Sequence, residues 1–207
     1  MLVYAVNPWF DSRMAVVTHD EVIGAALKLV DREGLEAISM RRVGDALGLS
    51  AMALYHYFPS KDAILDGVFQ AVLAELPPLA KRGSWQTLAS KRAHEFRKAL
   101  MKHPNAISLF ATRPAVNVAS VERVEEVLAV LRAAGFSSRE SLRIFQCVVA
   151  FVVGHTMNSV AQPASPEYTK LDRQTFRHVH EVVALESYDV EAEFDAGLQA
   201  MLRGFTK

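Results

Sequence analysis

The sequence predicts an all-α protein in which a small helix-turn-helix unit precedes a larger helical domain. Apolar residues recur at intervals of three and four along nearly every segment. Capping residues and glycine or proline stops separate these segments, and no stretch alternates as a β-strand would. At 207 residues, the chain is long enough for one domain with a sizeable core or for one small and one medium domain.

Composition restricts the class of protein. The chain is 51% hydrophobic with a formal net charge of zero, which is typical of a folded protein. Cys147 is the only cysteine, so a disulfide framework and a cysteine-based zinc site are excluded. The N-terminal "MLVYAVNPWF" lacks the basic region of a signal peptide, and the longest apolar stretch, "CVVAFVVG", is too short to cross a membrane. We therefore expect a cytoplasmic protein without membrane contact.

Caps and stops define the helices of the first third. The first predicted helix runs from Thr18 to Glu33, with a capping box made by Thr18 and Glu21 and a stop at Gly34. Three serines are expected to cap the next helices, at about 40–47, 51–58 and 61–76: Ser39, Ser50 and Ser60. In the second helix, the residues expected to face inward are Val43, Ala46 and Leu47.

Pro77 and Pro78 predict a joint before a larger C-terminal domain. Its main helices are predicted at 85–103, 118–134, 138–160 and 190–205, with a short helix and turn at 105–114 and a loop at 162–168. The predicted organisation is thus an N-terminal tail at 1–17, a helix-turn-helix domain at 18–76, and a helical domain at 84–207. The tail has no helical period, and Met14 is a candidate translation start.

The segment "SMRRVGDALGLSAMALYHYF" has the form of a helix, a short turn and a second helix. Leu54 and Phe58, four residues apart, are expected to pack inward, which leaves a blunt outward surface of tyrosine, histidine and methionine. In a helix-turn-helix protein, such a second helix enters the major groove of DNA. The alternative is a three-helix packing element that binds nothing.

The stretch from Gly34 to Leu65 resembles the TetR family of transcriptional regulators, in the pattern "G-L-x-A-x-S-M-R-R-V-x-x-x-L-G-[LV]-S-x-x-x-L-Y-x-[HY]-[FV]-x-x-K-x-x-L". The resemblance implies binding to double-stranded DNA at a palindromic operator by a homodimer. It also implies DNA contacts from Met40, Arg41, Ala51, Met52, Tyr55, His56, Tyr57 and Lys61. Of these, Met40 and Tyr57 are as well explained by packing in the core.

The charge balance of this N-terminal part runs against a DNA-binding role. Residues 1–75 hold six Lys and Arg against ten Asp and Glu, a net charge of −4, whereas a DNA-binding unit usually has a basic face. Three of the six cations lie in the motif: Arg41, Arg42 and Lys61. Because only charges within about 10 Å of the phosphates act strongly at 0.1 M salt, we expect modest affinity per monomer and dependence on a dimer.

The C-terminal part resembles the tetracycline repressor subgroup, in "SWQ" at 84–86, "FRKAL" at 96–100, "ATRP" at 111–114, "AAGFS" at 133–137 and "GLQAMLRGF" at 197–205. The resemblance implies a small-molecule effector in a pocket lined by Arg92, Phe96, Leu109, Arg113, Val127, Leu142, Phe145 and Val149. Arg113 is equally explained as a surface residue that caps a helix.

The same resemblance argues against a metal cofactor. The subgroup holds a magnesium chelate with histidines and a glutamine, but the matching positions here are Leu109, Val127 and Ala150. The expected pocket is apolar and metal-free, which suits an apolar or aromatic effector. "HVHE" at 178–181 is an alternative metal site, but residues two apart do not share a helix face. His155 and Cys147 are expected in the core or at a dimer seam.

Apolar faces in the last two long helices predict a homodimer. The helix at 138–160 is apolar on more than one side, and the last helix has a stripe that we expect to be exposed: Phe194, Leu198, Met201 and Leu202. A helix with two apolar faces needs two partners, of which one is a second chain.

The favoured function is a ligand-responsive regulator that leaves its operator when the effector shifts the "ATRP" turn against the fourth helix. An activator, a small-molecule carrier without operator binding, and a small α-helical enzyme are the alternatives. No H-E-x-x-H, G-x-S-x-G or phosphate-binding glycine loop occurs in the sequence, so these enzyme classes are excluded.

Overall fold

The computed structural model describes residues 17–80, 82–113, 118–161, 167–184 and 189–206, without the side chains of 119, 167 and 169. All regular structure in these ranges is helical, which confirms the predicted class. None of the helices described is both long and apolar enough to cross a membrane. The chain divides into two compact units between Ala71 and Val72. Nearly all of the predicted tail, 1–16, lies outside the described residues, and the predicted limits at 76 and 84 stay a prediction.

The first unit holds three α-helices, a short 3-10 turn and all but the last three residues of a fourth helix. They are α1 (His19–Glu33), the turn Leu35–Ala37, α2 (Met40–Leu47), α3 (Ala51–Tyr55) and α4 (Lys61–Ala74). The predicted caps are confirmed. Thr18 and Glu21 form the capping box of α1, and the hydroxyls of Ser39 and Ser50 accept from the third residue of α2 and α3. Ser60 accepts from the Ala63 amide at 3.1 Å.

Two helices end earlier than predicted, and in each case a proline follows. α3 stops at Tyr55 and not at Phe58, since Pro59 disfavours helical geometry at the residue before it. The intervening turn is tighter than an α-helix, because the amide of His56 bonds to the carbonyl of Ala53. α4 likewise ends at Ala74, three residues before Pro77.

At the corner between α2 and α3, the backbones of Gly44 and Leu49 lie close together. Gly48 ends α2 with φ 69°, in the left-handed region that favours glycine. The Leu49 amide then donates to the Gly44 carbonyl at 2.9 Å, and a Cβ at Gly44 would lie only 2.7 Å from the Leu49 carbonyl oxygen. This contact corrects one prediction: Gly44 faces inward, and Ala46 is exposed because it lies on the other side of α2.

The second unit is built around one long helix. Its elements are α5 (Trp85–Lys102), a 3-10 turn Pro104–Ala106, α6 (Ile107–Thr112), α7 (Val118–Ala133), α8 (Ser138–Val160), a 3-10 turn Glu167–Lys170, α9 (Arg177–Val183) and α10 (Val190–Gly204). Ser84 caps α5, and Ser137 with Glu140 forms a capping box at α8. α8 packs against α5, α6, α7 and α10, so it is the central helix of this unit.

α10 closes the unit, and its apolar stripe is not exposed as predicted. Phe194, Leu198 and Leu202 are buried inside their own chain, because α10 packs against both α5 and α8. The prediction that this stripe faces a second chain is therefore wrong.

Three acidic residues on α10 each meet a basic group around the buried Phe194 ring. The Asp195 carboxylate lies 2.6 Å from His94 Nε2, Glu193 lies 3.4 Å from His155 Nε2, and Glu191 pairs with Arg97. The Arg97 guanidinium also lies 4.7 Å from the centre of the Phe194 ring, a cation–π contact. His155 thus belongs to the core of this unit, whereas Cys147 is exposed.

The corner of the first unit can be tested by adding one methyl group. Gly44→Ala places a Cβ against the Leu49 carbonyl, so it should lower the free energy of unfolding by about 1–3 kcal/mol. Gly24→Ala on α1 is the control, because a Cβ there meets no atom within 4 Å. It should leave stability unchanged or raise it by up to about 1 kcal/mol. Urea unfolding followed by circular dichroism measures both, and equal midpoints would contradict the close approach.

Candidate nucleic-acid interface and effector site

α3 has one buried side and one exposed side. Leu54 and Phe58 point into the core of the first unit, as predicted. Met52 is 73% exposed and Tyr55 is 51% exposed, and His56 at the end of the helix is also exposed. Exposed large side chains of this kind are available for base edges in a groove. We call these three exposed residues, Met52, Tyr55 and His56, the reading face.

Ala51 and Tyr57 lie at the edge of the reading face. Both are half-buried, and Tyr57 packs edge-on against the His19 ring with the ring centres 5.7 Å apart. Met40 differs, because it is only 8% exposed and belongs to the core of the first unit. Of the two readings left open for Met40, the structure favours packing, and we leave this residue out of the interface.

The two arginines of α2 differ in their surroundings. Arg41 has a side chain that is 86% exposed, and its Nε lies 3.8 Å from the Asp45 carboxylate, a long ion pair. Arg42 instead donates to Glu33 at 2.5 Å, and this bond lowers the pKa of the Glu33 carboxyl. Lys61 is half-buried at the first position of α4. Of these two arginines, Arg42 is thus held in a short ion pair with Glu33, whereas Arg41 is largely exposed.

Arg92 is a buried polar residue of the predicted effector site. It is 8% exposed and donates to the Pro77 carbonyl at 2.9 Å and to Glu126 on α7 at 3.0 Å. Glu95, on the same face of α5, lies 3.6 Å away. Burial lowers the pKa of Arg92, and the carboxylates of Glu95 and Glu126 oppose that shift. Among the residues that the structure describes, the buried Nε of Arg92 finds no hydrogen-bond partner.

The apolar residues of the predicted effector site divide into two groups. Phe96, one turn beyond Arg92 on α5, is buried and packs edge-on against Phe110 with ring centres 5.3 Å apart. Leu109 is buried on the same short helix as Phe110. Val127 instead packs against a separate core cluster of Leu131, Phe136 and Ile144.

Three further predicted residues of the effector site lie on α8. Phe145 and Val149 are half-buried there, whereas Leu142 is 47% exposed and lies off the buried face. The prediction that Leu142 lines the pocket is therefore wrong. Arg113 is half-buried at the end of α6, where its amide donates to the Leu109 carbonyl at 2.9 Å.

Two groups of this site were not predicted, namely Glu126 and the Pro77 carbonyl. Arg92 lies among buried Leu88, Ala89 and Phe96 on α5, and such a position requires a compensating charge. The sequence shows that need but not the partner, because Glu126 is 34 residues away on a helix with several acidic residues.

No group of three or more His, Cys, Asp or Glu in the described ranges could hold a metal ion. In "HVHE" the two rings engage different partners. His178 Nδ1 lies 3.1 Å from the Glu181 carboxylate, and His180 Nε2 donates to the Leu171 carbonyl at 3.0 Å.

Two family models match the chain. Residues 22–68 match bacterial regulatory proteins of the tetR family, and residues 77–207 match the tetracyclin repressor-like C-terminal domain. The first match contains α2 and α3 with the whole reading face, and the second contains all the predicted effector residues.

Curated relatives and solved structures match nearly the whole length of this chain. An HTH-type transcriptional regulator from Saccharopolyspora erythraea is 30% identical over 91% of this chain and 84% of its own length. The HTH-type transcriptional repressor DrrR1 from Streptomyces coeruleorubidus is 30% identical over 91% and 77%. The fold is that of the Streptomyces coelicolor TetR family protein ActR, solved with actinorhodin, with a TM-score of 0.80, 23% identity and coverage of 92% and 97%.

Proposed function

The chain belongs to the tetR family of bacterial regulatory proteins, and we propose that it is a repressor that an apolar or aromatic small molecule releases from a palindromic operator. The observation that carries this proposal is the reading face, three large side chains exposed on a helix whose corner is fixed by backbone contact. We propose no catalytic role. The name of the relative DrrR1 favours repression over activation.

The reading face supports direct recognition of bases. Tyr55 and His56 can form hydrogen bonds with base edges, and Met52 offers apolar contact to a thymine methyl group. Arg41 and Lys61 flank them as phosphate contacts, which position the protein but carry no sequence information. Arg42 is proposed as structural, because its guanidinium is paired with Glu33.

Operator reading predicts distinct effects for base and phosphate contacts. Binding duplexes are first selected from a random library, and affinity is then measured by fluorescence anisotropy. Replacing Tyr55 and His56 together with Ala should weaken binding to the selected duplex by about 100-fold, since each base contact is worth about 1–3 kcal/mol. Lys61→Ala should weaken binding to all duplexes alike and reduce the salt slope by about one.

The chain offers a matched control for the double variant. Tyr168 and His178 are an exposed tyrosine and an exposed histidine in the second unit. Replacing both with Ala should leave affinity for the selected duplex within about twofold of wild type. If this control loses as much affinity as the Tyr55 and His56 variant, α3 is not the reading helix.

The effector is proposed to lie against Phe96 and to exchange polar contacts with Arg92. These residues are four apart on α5, so they share a face. The unpartnered Nε–H of this buried guanidinium can donate a hydrogen bond to a carbonyl, phenolic or carboxylate oxygen of the ligand. Since Arg92 also holds the Pro77 carbonyl and Glu126, a ligand oxygen would compete with contacts that join α5 to α7 and to the segment after α4. The ligand shifts the equilibrium only if it prefers one of the two arrangements.

A metal-free pocket predicts that effector binding is insensitive to chelation. Aromatic compounds that raise the melting temperature should do so equally with and without EDTA. Phe145→Trp, on the proposed wall of the pocket, should reduce the shift caused by such a compound by at least about half, because it overfills the site. Phe176→Trp, at an exposed position, is the control and should respond as wild type. Stabilisation that requires a divalent metal would refute the proposed site.

A homodimer is proposed through the free side of α8. Six exposed residues follow one side of this helix: Gln146, Cys147, Ala150, Gly154, Met157 and Asn158. No Asp, Glu, Lys or Arg occurs between Arg143 and Ala161, whereas a helix face in contact with water normally carries charge. Small residues along such a face allow two helices to approach closely. Two-fold symmetry then places two copies of α3 about 34–36 Å apart, the spacing of a palindromic site.

The proposed interface can be tested with one charge. Gly154→Arg places a long cation at the centre of the uncharged side of α8 and should convert the dimer to a monomer at micromolar concentration, as measured by light scattering. A Cβ at Gly154 meets no atom within 4 Å of its own chain, so folding should be unaffected. Val121→Arg, on the exposed side of α7, should remain dimeric. A wild-type monomer, or a dimeric Gly154→Arg variant, would place the interface elsewhere.

A further inference from the structure

We propose that His19, the first residue of α1, is a positioning residue that fixes the C-terminal end of the recognition helix α3. The proposal rests on the proposed function, because positioning matters only if α3 reads DNA. His19 Nε2 lies 3.1 Å from the carbonyl oxygen of Tyr57, 38 residues away in the sequence. A carbonyl oxygen only accepts, so Nε2 carries the proton and donates it.

The end of α3 needs such a partner. The helix has five residues, Ala51–Tyr55, so it is too short to be stable through its own hydrogen bonds. The carbonyls at the end of a helix lack partners within the helix and must find them elsewhere. Pro59, two residues after Tyr57, has no amide hydrogen to offer. The side chain of His19 supplies a donor from outside the motif.

His19 also limits where the residues after α3 can lie. Its ring packs edge-on against Tyr57 and lies 5.1 Å from the Phe58 ring at a tilt of 59°. Leu54 and Phe58 anchor the buried side of α3 in the core, and His19 contacts the carbonyl and the ring of Tyr57. Tyr55 and His56 of the reading face lie between these two anchors.

Local structure fixes His19 itself in place. The capping box of Thr18 and Glu21 closes the first turn of α1 around it, with the Thr18 amide donating to Glu21 at 2.7 Å. A functional side chain needs its supporting contacts to hold it within about 0.5 Å of the productive position. His19 therefore links the residues that follow α3 to the capped N-terminal end of α1.

Side-chain geometry provides a rescue experiment. The terminal amide nitrogen of glutamine lies about as far along the side chain as Nε2 of histidine, whereas that of asparagine corresponds to Nδ1. His19→Gln can therefore restore the bond to the Tyr57 carbonyl, and His19→Asn cannot. His180→Ala is a matched control, because this histidine also donates to a backbone carbonyl, that of Leu171 at 3.0 Å, in the second unit.

The first measurement needs no DNA. Hydrogen exchange of the amides of Leu54, Tyr57 and Phe58, followed in the full chain, should be about tenfold faster in His19→Ala and His19→Asn, the factor expected for one lost hydrogen bond. His19→Gln should exchange within about twofold of wild type. Unchanged exchange in His19→Ala would overturn the proposal, whether or not the protein binds DNA.

The second measurement compares a selected duplex with a random one by anisotropy. His19→Ala and His19→Asn should lose about tenfold in affinity for the selected duplex and less than about twofold for the random one. His19→Gln and His180→Ala should match wild type on both. A parallel loss on both duplexes, or a failure of His19→Gln to rescue, would reduce His19 to a general stabilising role. Failure to select any duplex would instead refute the proposed function.

Discussion

The contact between the Gly44 and Leu49 backbones is the constraint on which the first unit depends. A carbonyl oxygen that would lie 2.7 Å from a Cβ at Gly44 leaves room for no side chain there, and this closeness sets the angle between α2 and α3. With that angle fixed, Leu54 and Phe58 enter the core and the opposite side of α3 faces outward. The orientation of the reading face is therefore a property of backbone geometry first and of side chains second.

The second unit uses a different principle, in which buried polar groups join helices that apolar packing alone would leave free to slide. Apolar contacts are non-directional, whereas the bonds of Arg92 to Glu126 and to the Pro77 carbonyl have defined geometry. Acidic residues of α10 make directed contacts too: the partly exposed Asp195 and Glu191 pair with His94 and Arg97 of α5, and Glu193 lies 3.4 Å from His155 of α8. Such pairs add little net stability but select one arrangement over its neighbours.

The sequence predicted best what short-range chemistry decides. Helix starts were found because a cap and its partner are three residues apart, as at Thr18 and Glu21. The reading face was found because residues four apart share a side of a helix. Contacts across long separations were not predictable, since nothing local links His19 to Tyr57 or Arg97 to Glu191. The apolar stripe of α10 was assigned to the wrong partner because hydrophobic periodicity shows that a face is buried but not against what.

The acidic balance of the N-terminal part has a consequence for how such a regulator searches a chromosome. A protein binds random DNA by neutralising its phosphates with Lys and Arg side chains. Because Arg42 is paired with Glu33, few cations of this part remain to neutralise phosphates. A genome offers about a million or more competing non-specific sites. A regulator that binds these sites weakly loses fewer of its copies to them. In the recognition proposed above, fewer copies per cell then suffice to keep one operator occupied, and discrimination depends on the shape and hydrogen bonds of three side chains more than on charge.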